Sequence, residues 1–180
     1  MSTKLLRVFF VVAGVLAAFI VSLALMRIVY PRKYSQLVSQ YAKEYGLSEN
    51  LVYAIIKCES NFRPDSVSHA GAIGLMQITP DTMQWAVMKE GNTCADTDTL
   101  YDENTNIKYG CCIYSLFFEE FGDMSVSLAA YNAGRGNVLK WLADKKYSED
   151  GILLKNVPFS ETAKYIKKVT AVKRIYELIY

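Results

Sequence analysis

The sequence predicts an all-α protein, one helical domain preceded by a single membrane-spanning helix. Three observations carry this. Apolar residues recur at helical spacing in segment after segment, and helix-starting and helix-stopping residues bracket those segments. No stretch after residue 30 alternates polar with apolar residues as a half-buried strand would, and no repeat of the length used by solenoids is present. The chain has 180 residues, 52% of them hydrophobic, which is enough for one well-filled core plus an appendage and argues against disorder.

The first 30 residues hold no acid and only Lys4, Arg7 and Arg27 as bases. Between Arg7 and Arg27 lie 19 uncharged, mostly apolar residues, 8–26. At about 1.5 Å per residue they cover roughly 28 Å as a helix, one hydrocarbon core. An uncleaved anchor over residues 1–30 is the expectation. A signal peptide is the rival, but its apolar region is usually shorter, and no clear small-x-small cleavage site stands before Tyr30. Charge does not orient the anchor: the amino group, Lys4 and Arg7 on one flank balance Arg27, Arg32 and Lys33 on the other.

The domain is expected over residues 31–180. After Pro31, Leu37, Val38, Tyr41, Ala42 and Tyr45 lie at helical spacing, and Gly46 stops that helix. Ser48 is placed to cap the next one, with Glu49 in its first turn and Leu51, Val52, Ile55 and Cys58 on one face. Glu59 then falls near the C-terminal end of a buried helix. Residues 61–68 read as a polar loop ending at His69, a loop hydrogen-bonder by expectation, and Gly71 and Gly74 admit positive φ. Thr79 caps a helix with Pro80 in its first position, running to about Lys89. Residues 92–100 read as loop. Asp102 opens a helix that Gly122 closes, and Asp123 or Ser125 starts a short one ending at Asn132-Ala133-Gly134. Another begins near Gly136. Residues 144–156 form a surface loop, and the last helix starts at Ser160, with Ile166, Val169, Ile175, Tyr176 and Ile179 as its apolar positions.

Composition excludes several functions. Setting aside the three bases in the anchor region leaves 17 basic against 18 acidic residues, with no basic stripe, so nucleic acid is not an expected partner. Cys58, Cys94, Cys111 and Cys112 contain no C-x-x-C pair and the one histidine is His69, so neither a metal site nor a cofactor is expected. Outside a membrane, one or two disulfides could form among the four, though adjacent Cys111 and Cys112 would not pair with each other. Cys58, without a histidine partner, reads as a buried thiol or half-cystine. The 13 tyrosines suit core edges first and sugar-binding grooves second.

Glu59 is the residue around which chemistry would be built. The carbonyl end of a helix and apolar surroundings both disfavour its charge and push the carboxyl towards the protonated form that a general acid needs. Read alone it is more readily a surface glutamate closing a helix. Its context changes the weight. Glu59-Ser60, Gly74-Leu75-Met76-Gln77, Ala130-Tyr131-Asn132-Ala133-Gly134 and Pro158-Phe159-Ser160-Glu161-Thr162 occur in that order. Together they resemble the soluble-lytic-transglycosylase (SLT-type) catalytic domain, over about residues 34–179.

The resemblance implies a lysozyme-like helical fold that cleaves peptidoglycan between N-acetylmuramic acid and N-acetylglucosamine, leaving a 1,6-anhydro end. It implies Glu59 as the sole catalytic acid and base. Ordinary glycosidases need a second carboxyl; here the muramic C6 hydroxyl is the nucleophile. Ser60, Met76 and Gln77 would line or brace the sugar subsites, Tyr131 would bond near the carboxyl and sugar, and Asn132 and Glu161 complete the expected substrate-binding set. Asn132 alone reads as shaping its turn, and Glu161 as a first-turn helix acid. The expected partners are glycan strands and, through the first helix, the cell membrane, with the domain on the extracytoplasmic side of a single-pass monomer. Cell-envelope machinery is a further partner the resemblance admits. A hydrolytic lysozyme and a glycan-binding scaffold are the alternatives. The cysteines at 58, 111 and 112 are not part of the family motif.

Overall fold

A computed structural model describes residues 3–93 and 96–180. Cys94 lies outside the described residues. Among the described residues the regular structure is helical, in the order α1 (Thr3–Val29), α2 (Ser35–Glu44), α3 (Glu49–Glu59), α4 (Pro80–Lys89), α5 (Glu103–Phe121), α6 (Met124–Ala133), α7 (Arg135–Ala143) and α8 (Ser160–Ile179). The only β pairing among them is two isolated bridges, Val67 with Ile73 and Ile73 with Ile78.

α1 carries an apolar span, Phe9–Val29, of mean hydropathy 2.7 that is not buried against the domain, and it is long and apolar enough to cross a membrane. The remaining helices enclose α3. Its residues Leu51 to Ile56 are all at most 6% exposed, so this helix is apolar all round and has no solvent face until its last turn. It packs along α8 and against α2, while α5 backs α2, α4 and α6. The rings of Tyr53 and Tyr176 stack across the α3–α8 seam at 5.3 Å.

Local chemistry accounts for most boundaries. Thr79 accepts a hydrogen bond from Thr82 N at 3.2 Å, with Pro80 in the first position where no N–H is needed. Asp102 accepts from Thr105 N at 2.8 Å, and Asp123 from Ser125 N and Val126 N. Gly122, at φ +66°, closes α5 in the left-handed conformation.

Four expectations need correction. Ser48 occupies the cap position of α3, but its side chain makes no capping bond; its carbonyl takes Leu51 N and Val52 N instead. Residues 92–100 are not all loop. A 3₁₀ turn, Thr97–Tyr101, forms there because Leu100 is fully buried and Asp96 caps it. Asn132 and Ala133 belong to α6, and Gly134 alone makes the turn. The inward stripe of α8 is Thr162, Tyr165, Val169, Val172, Tyr176 and Ile179, whereas Ile166 and Ile175 sit at its half-buried edge.

The turn over 73–78 is held without room to spare. Asn106, buried on α5, accepts from Met76 N at 2.8 Å and donates to Leu100 O at 2.8 Å and Ile73 O at 3.0 Å. Gly74 has φ +81°, and a Cβ there would stand 2.1 Å from Asn106 Nδ2. Gly74→Ala should therefore cost roughly 2–4 kcal/mol, from left-handed strain plus a displaced Asn106. Urea unfolding of the full chain in detergent measures this; a loss under half a kcal/mol would refute the account.

Candidate active site

Glu59 is the final residue of α3 and only half-buried by surface, yet its carboxyl is turned inward. Burial raises its pKa from 4.5 to about 7, and two neighbours on α8 oppose the rise: the Tyr165 hydroxyl and the Lys168 ammonium. The Tyr165 hydroxyl is buried and lacks a partner in full hydrogen-bonding geometry, but it faces the carboxyl closely enough to favour the ionised form. Lys168 lies one turn further along α8 and donates to Cys58 O at 3.3 Å. The α3 carboxyl terminus adds its own negative end of the helix dipole to the burial effect. A carboxyl balanced in this way exchanges a proton readily near neutral pH.

The backbone around Glu59 is strained. Asn61, Phe62 and Gln77 all adopt left-handed φ, at +52°, +62° and +51°. These are the non-glycine exceptions nearest the carboxyl, and each costs about 1 kcal/mol or more. They reverse the chain at the end of α3, so that the 73–78 turn returns against it. Ser60 fastens that return: its hydroxyl donates to Leu75 O at 2.8 Å.

Tyr131, on α6, donates its hydroxyl to Met76 O at 2.8 Å. Burial, and next the negative charge of Glu59, push its own pKa well up, which places its hydroxyl in the electrical neighbourhood of the carboxyl. Tyr165 is raised for the same two leading reasons, and Tyr131 acts on it as well. Glu59, Tyr131, Tyr165 and Lys168 thus form one coupled cluster drawn from α3, α6 and α8.

The groove runs beside this cluster. One hollow of about 340 Å³ is lined by Asp81, Thr82, Trp85, Phe117, Tyr131 and Arg135, among others. A second, of about 550 Å³, is lined by Asn132, Ala133 and the stretch from Pro158 to Thr162, including exposed Glu161. The C-terminal end of α6 separates them, with Tyr131 on one side and Asn132 on the other. Glu59 lines neither, but Tyr131, on which its charge acts, lines the first. Thr162 Oγ1 donates to Asn132 Oδ1 at 2.8 Å, tying α8 to α6 beneath the second hollow.

The expected site residues therefore divide. Tyr131, Asn132 and Glu161 border open space. Ser60 and Met76 do not: they are 1% and 0% exposed, and the Met76 thioether lies where a Cβ on Gly110 would come within 2.2 Å. Of the two roles expected of these side chains, lining or bracing the subsites, their burial under the turn fits bracing. The Gln77 amide donates to Ser66 O and Gly74 O, both at 3.0 Å, and braces the same turn. Sequence reasoning missed Asn106, Tyr165 and Lys168. The 162–165–169–172–176–179 spacing of α8 carried a signal for Tyr165; nothing local marked Asn106. Cys58, Cys111 and Cys112 are free thiols, so no disulfide joins those three.

The perturbed carboxyl makes stability depend on pH. Between the unfolded value near 4.5 and the folded value near 7, the native state keeps a proton that the unfolded chain releases. Stability from the neutral carboxyl is complete below pH 4.5 and falls as pH rises to about 7, by up to about 3 kcal/mol. Glu59→Gln should remove this slope and be more stable than the parent at pH 8 but not at pH 4. Urea unfolding at the two pH values tests it, and equal differences at both would refute it.

Comparison with known proteins agrees with the helical fold. The family model described as "Transglycosylase SLT domain" matches residues 36–153, so α8 and its Tyr165 and Lys168 lie beyond the matched stretch. The soluble lytic murein transglycosylase of Escherichia coli K12 is 34% identical over 150 residues, covering 82% of this chain and 23% of that protein. The membrane-bound lytic murein transglycosylase C of Actinobacillus pleuropneumoniae is 32% identical over 167 residues, covering 81% of this chain and 46% of that protein. An inactive glutamate-to-glutamine mutant of lytic transglycosylase Slt from Pseudomonas aeruginosa superposes with TM-score 0.73 at 32% identity, over 85% of this chain and 25% of that one. The chain spans about a quarter to a half of the length of these relatives. The family match covers well over half of the chain, α3 and α6 included and α8 not, and the chain belongs to the transglycosylase SLT domain family.

Proposed function

We propose that this chain is a peptidoglycan lytic transglycosylase, held in the cell membrane by α1, with the domain over residues 31–180 on the extracytoplasmic side. The observation that carries the reading is the Glu59 carboxyl. Burial raises its pKa to about 7, and the groups that limit the rise are a tyrosine and a lysine. One carboxyl can serve as acid and then as base only if it exchanges its proton near the working pH. Two-carboxylate hydrolysis needs a partner acid across the bond.

In the proposed reaction Glu59 gives its proton to the glycosidic oxygen as the bond from that oxygen to C1 of N-acetylmuramic acid breaks. The resulting carboxylate takes the proton from the C6 hydroxyl of the same sugar while that oxygen bonds to C1. The 1,6-anhydro ring closes, Glu59 regains its proton, and no water enters. Tyr165 faces the carboxyl and favours its ionised stage, and Lys168 acts in the same direction. Tyr131, fixed by Met76 O, borders both the carboxyl and the groove, and Asn132 and Glu161 border the next subsite.

The names of the relatives support the substrate class, since the proteins compared are described as lytic murein transglycosylases. One solved relative was inactivated by a glutamate-to-glutamine change, and one lytic transglycosylase was solved in complex with bulgecin A. Membrane attachment rests on the exposed apolar span of α1.

Glu59→Gln should abolish release of anhydro-muropeptides from purified peptidoglycan, read by mass spectrometry, with the helical circular dichroism unchanged. Products that carry an added water would point to hydrolysis instead. Lys168→Met should raise the Glu59 pKa, because it removes a charge that lowers it, and should move the alkaline limb of kcat/KM to higher pH. A limb that stays in place would show that Lys168 does not tune the acid.

A further inference from the structure

The segment joining α1 to the domain is not a tether. Five residues, 30–34, separate Val29 from Ser35, and four of them are held. Tyr30 O accepts from the Tyr180 hydroxyl at 3.0 Å, and its ring meets Tyr176 edge-on. Pro31 O accepts from the Tyr176 hydroxyl at 3.1 Å. Arg32 donates to Asn50 Oδ1 at 2.8 Å, and its guanidinium lies over the rings of Tyr180 and Tyr53, at 4.4 Å and 5.4 Å from their centroids. Tyr34 is fixed in left-handed backbone and packs on the core.

The last turn of α1 is clamped as well. Arg27 donates from Nε and Nη2 to Ile179 O at 3.1 and 2.9 Å, which binds the C-terminus of α8 to the end of the membrane-length span. Lys57 donates to Val29 O at 2.7 Å. Lys57 is two residues from Glu59. A lysine side chain, two helical residues and a glutamate side chain together place the reactive carboxyl within about 20 Å of the carbonyl where the apolar span ends. The headgroup layer beyond each side of a bilayer's hydrocarbon core takes up roughly 5–8 Å of that distance. With α1 in a bilayer, the Glu59 carboxyl would stand close over the lipid and could not swing outward, because the junction is clamped and no free linker exists to carry it.

A site held at that height meets only glycan that lies on the membrane. We propose that the substrate of this site is membrane-held glycan, a strand still joined to a lipid at one end, cut in the units nearest that lipid. The inference rests on the lytic-transglycosylase reading above and adds to it where along the strand the enzyme acts. The arginine–tyrosine clamp sets that position, in the way a fixed post sets the height of a blade.

The test uses the full chain in phosphatidylglycerol–phosphatidylethanolamine vesicles, with two substrates: glycan strands bearing a lipid at one end and inserted in the same vesicles, and the same strands without lipid, in solution. A variant with 20 Gly/Ser residues inserted between Val29 and Tyr30, together with Arg27→Ala and Lys57→Met to release the end of α1 from α8 and α3, keeps the anchor and the domain but frees the groove. The parent should leave short lipid-linked remnants. The insertion variant should lengthen them by about twofold, since such a linker adds roughly 25 Å of reach. Both should release anhydro ends from the soluble strands at similar rates, which shows that the insertion has not harmed the domain. Remnants of the same length from parent and variant would overturn the inference. Failure of the parent on both substrates would instead overturn the catalytic reading on which it stands.

Discussion

The site depends on one buried amide. Asn106 gives both faces of its side chain to the 73–78 turn and its surroundings, accepting from Met76 N and donating to Ile73 O and Leu100 O. The neighbouring carbonyls of Leu75 and Met76 accept Ser60, at the end of α3, and Tyr131, from α6. A single turn is thus bonded to three helices at once. Buried polar groups left without such partners would cost about 1–3 kcal/mol each, so the arrangement has little freedom to relax. Glycine is required at two points for the same reason, at 74 beside the amide and at 110 beneath the Met76 thioether.

This rigidity has an electrostatic consequence. Glu59 ends a helix whose preceding turns have no solvent face, so its carboxyl loses water without gaining a strong counter-charge. Desolvation sets the direction of the shift, and the Tyr165 hydroxyl and Lys168 limit it. A tighter ion pair would have held the carboxyl ionised and useless as an acid, and full isolation would have kept it protonated and useless as a base. The left-handed residues Asn61, Phe62 and Gln77 are the backbone counterpart of this compromise, strain located where the chain must reverse to wall the site.

The same helices connect chemistry to location. α3 and α8 pack along each other, Tyr53 and Tyr176 stack across their seam, and the end of α1 is bonded to both. The residues that define the reactive carboxyl and those that fix the domain to its membrane-length helix are therefore neighbours on two helices. Packing that orients Glu59 and packing that orients the domain are one structure.

Much of this was legible in the chain because it is local. Thr79-Pro80 and Asp102 with Gly122 mark α4 and α5 by chemistry that acts within one helical turn, and the apolar run of α1 reports its length directly. The position of Glu59 at the end of an apolar helix already implied a raised pKa, and the order of the four motifs implied the family. What the sequence could not determine acts across long separations. Met76 reads as a groove residue in its motif, but Gly110, on another helix, takes its side chain inside. Tyr165 and Lys168 face Glu59 only because α8 packs on α3, and Asn106 matters only because the 73–78 turn lands on it. Sequence determined which carboxyl stands at the end of an apolar helix. Tertiary structure decided which groups tune it, which merely support it, and how its helix is fixed to the end of α1, because those are set by which helices meet.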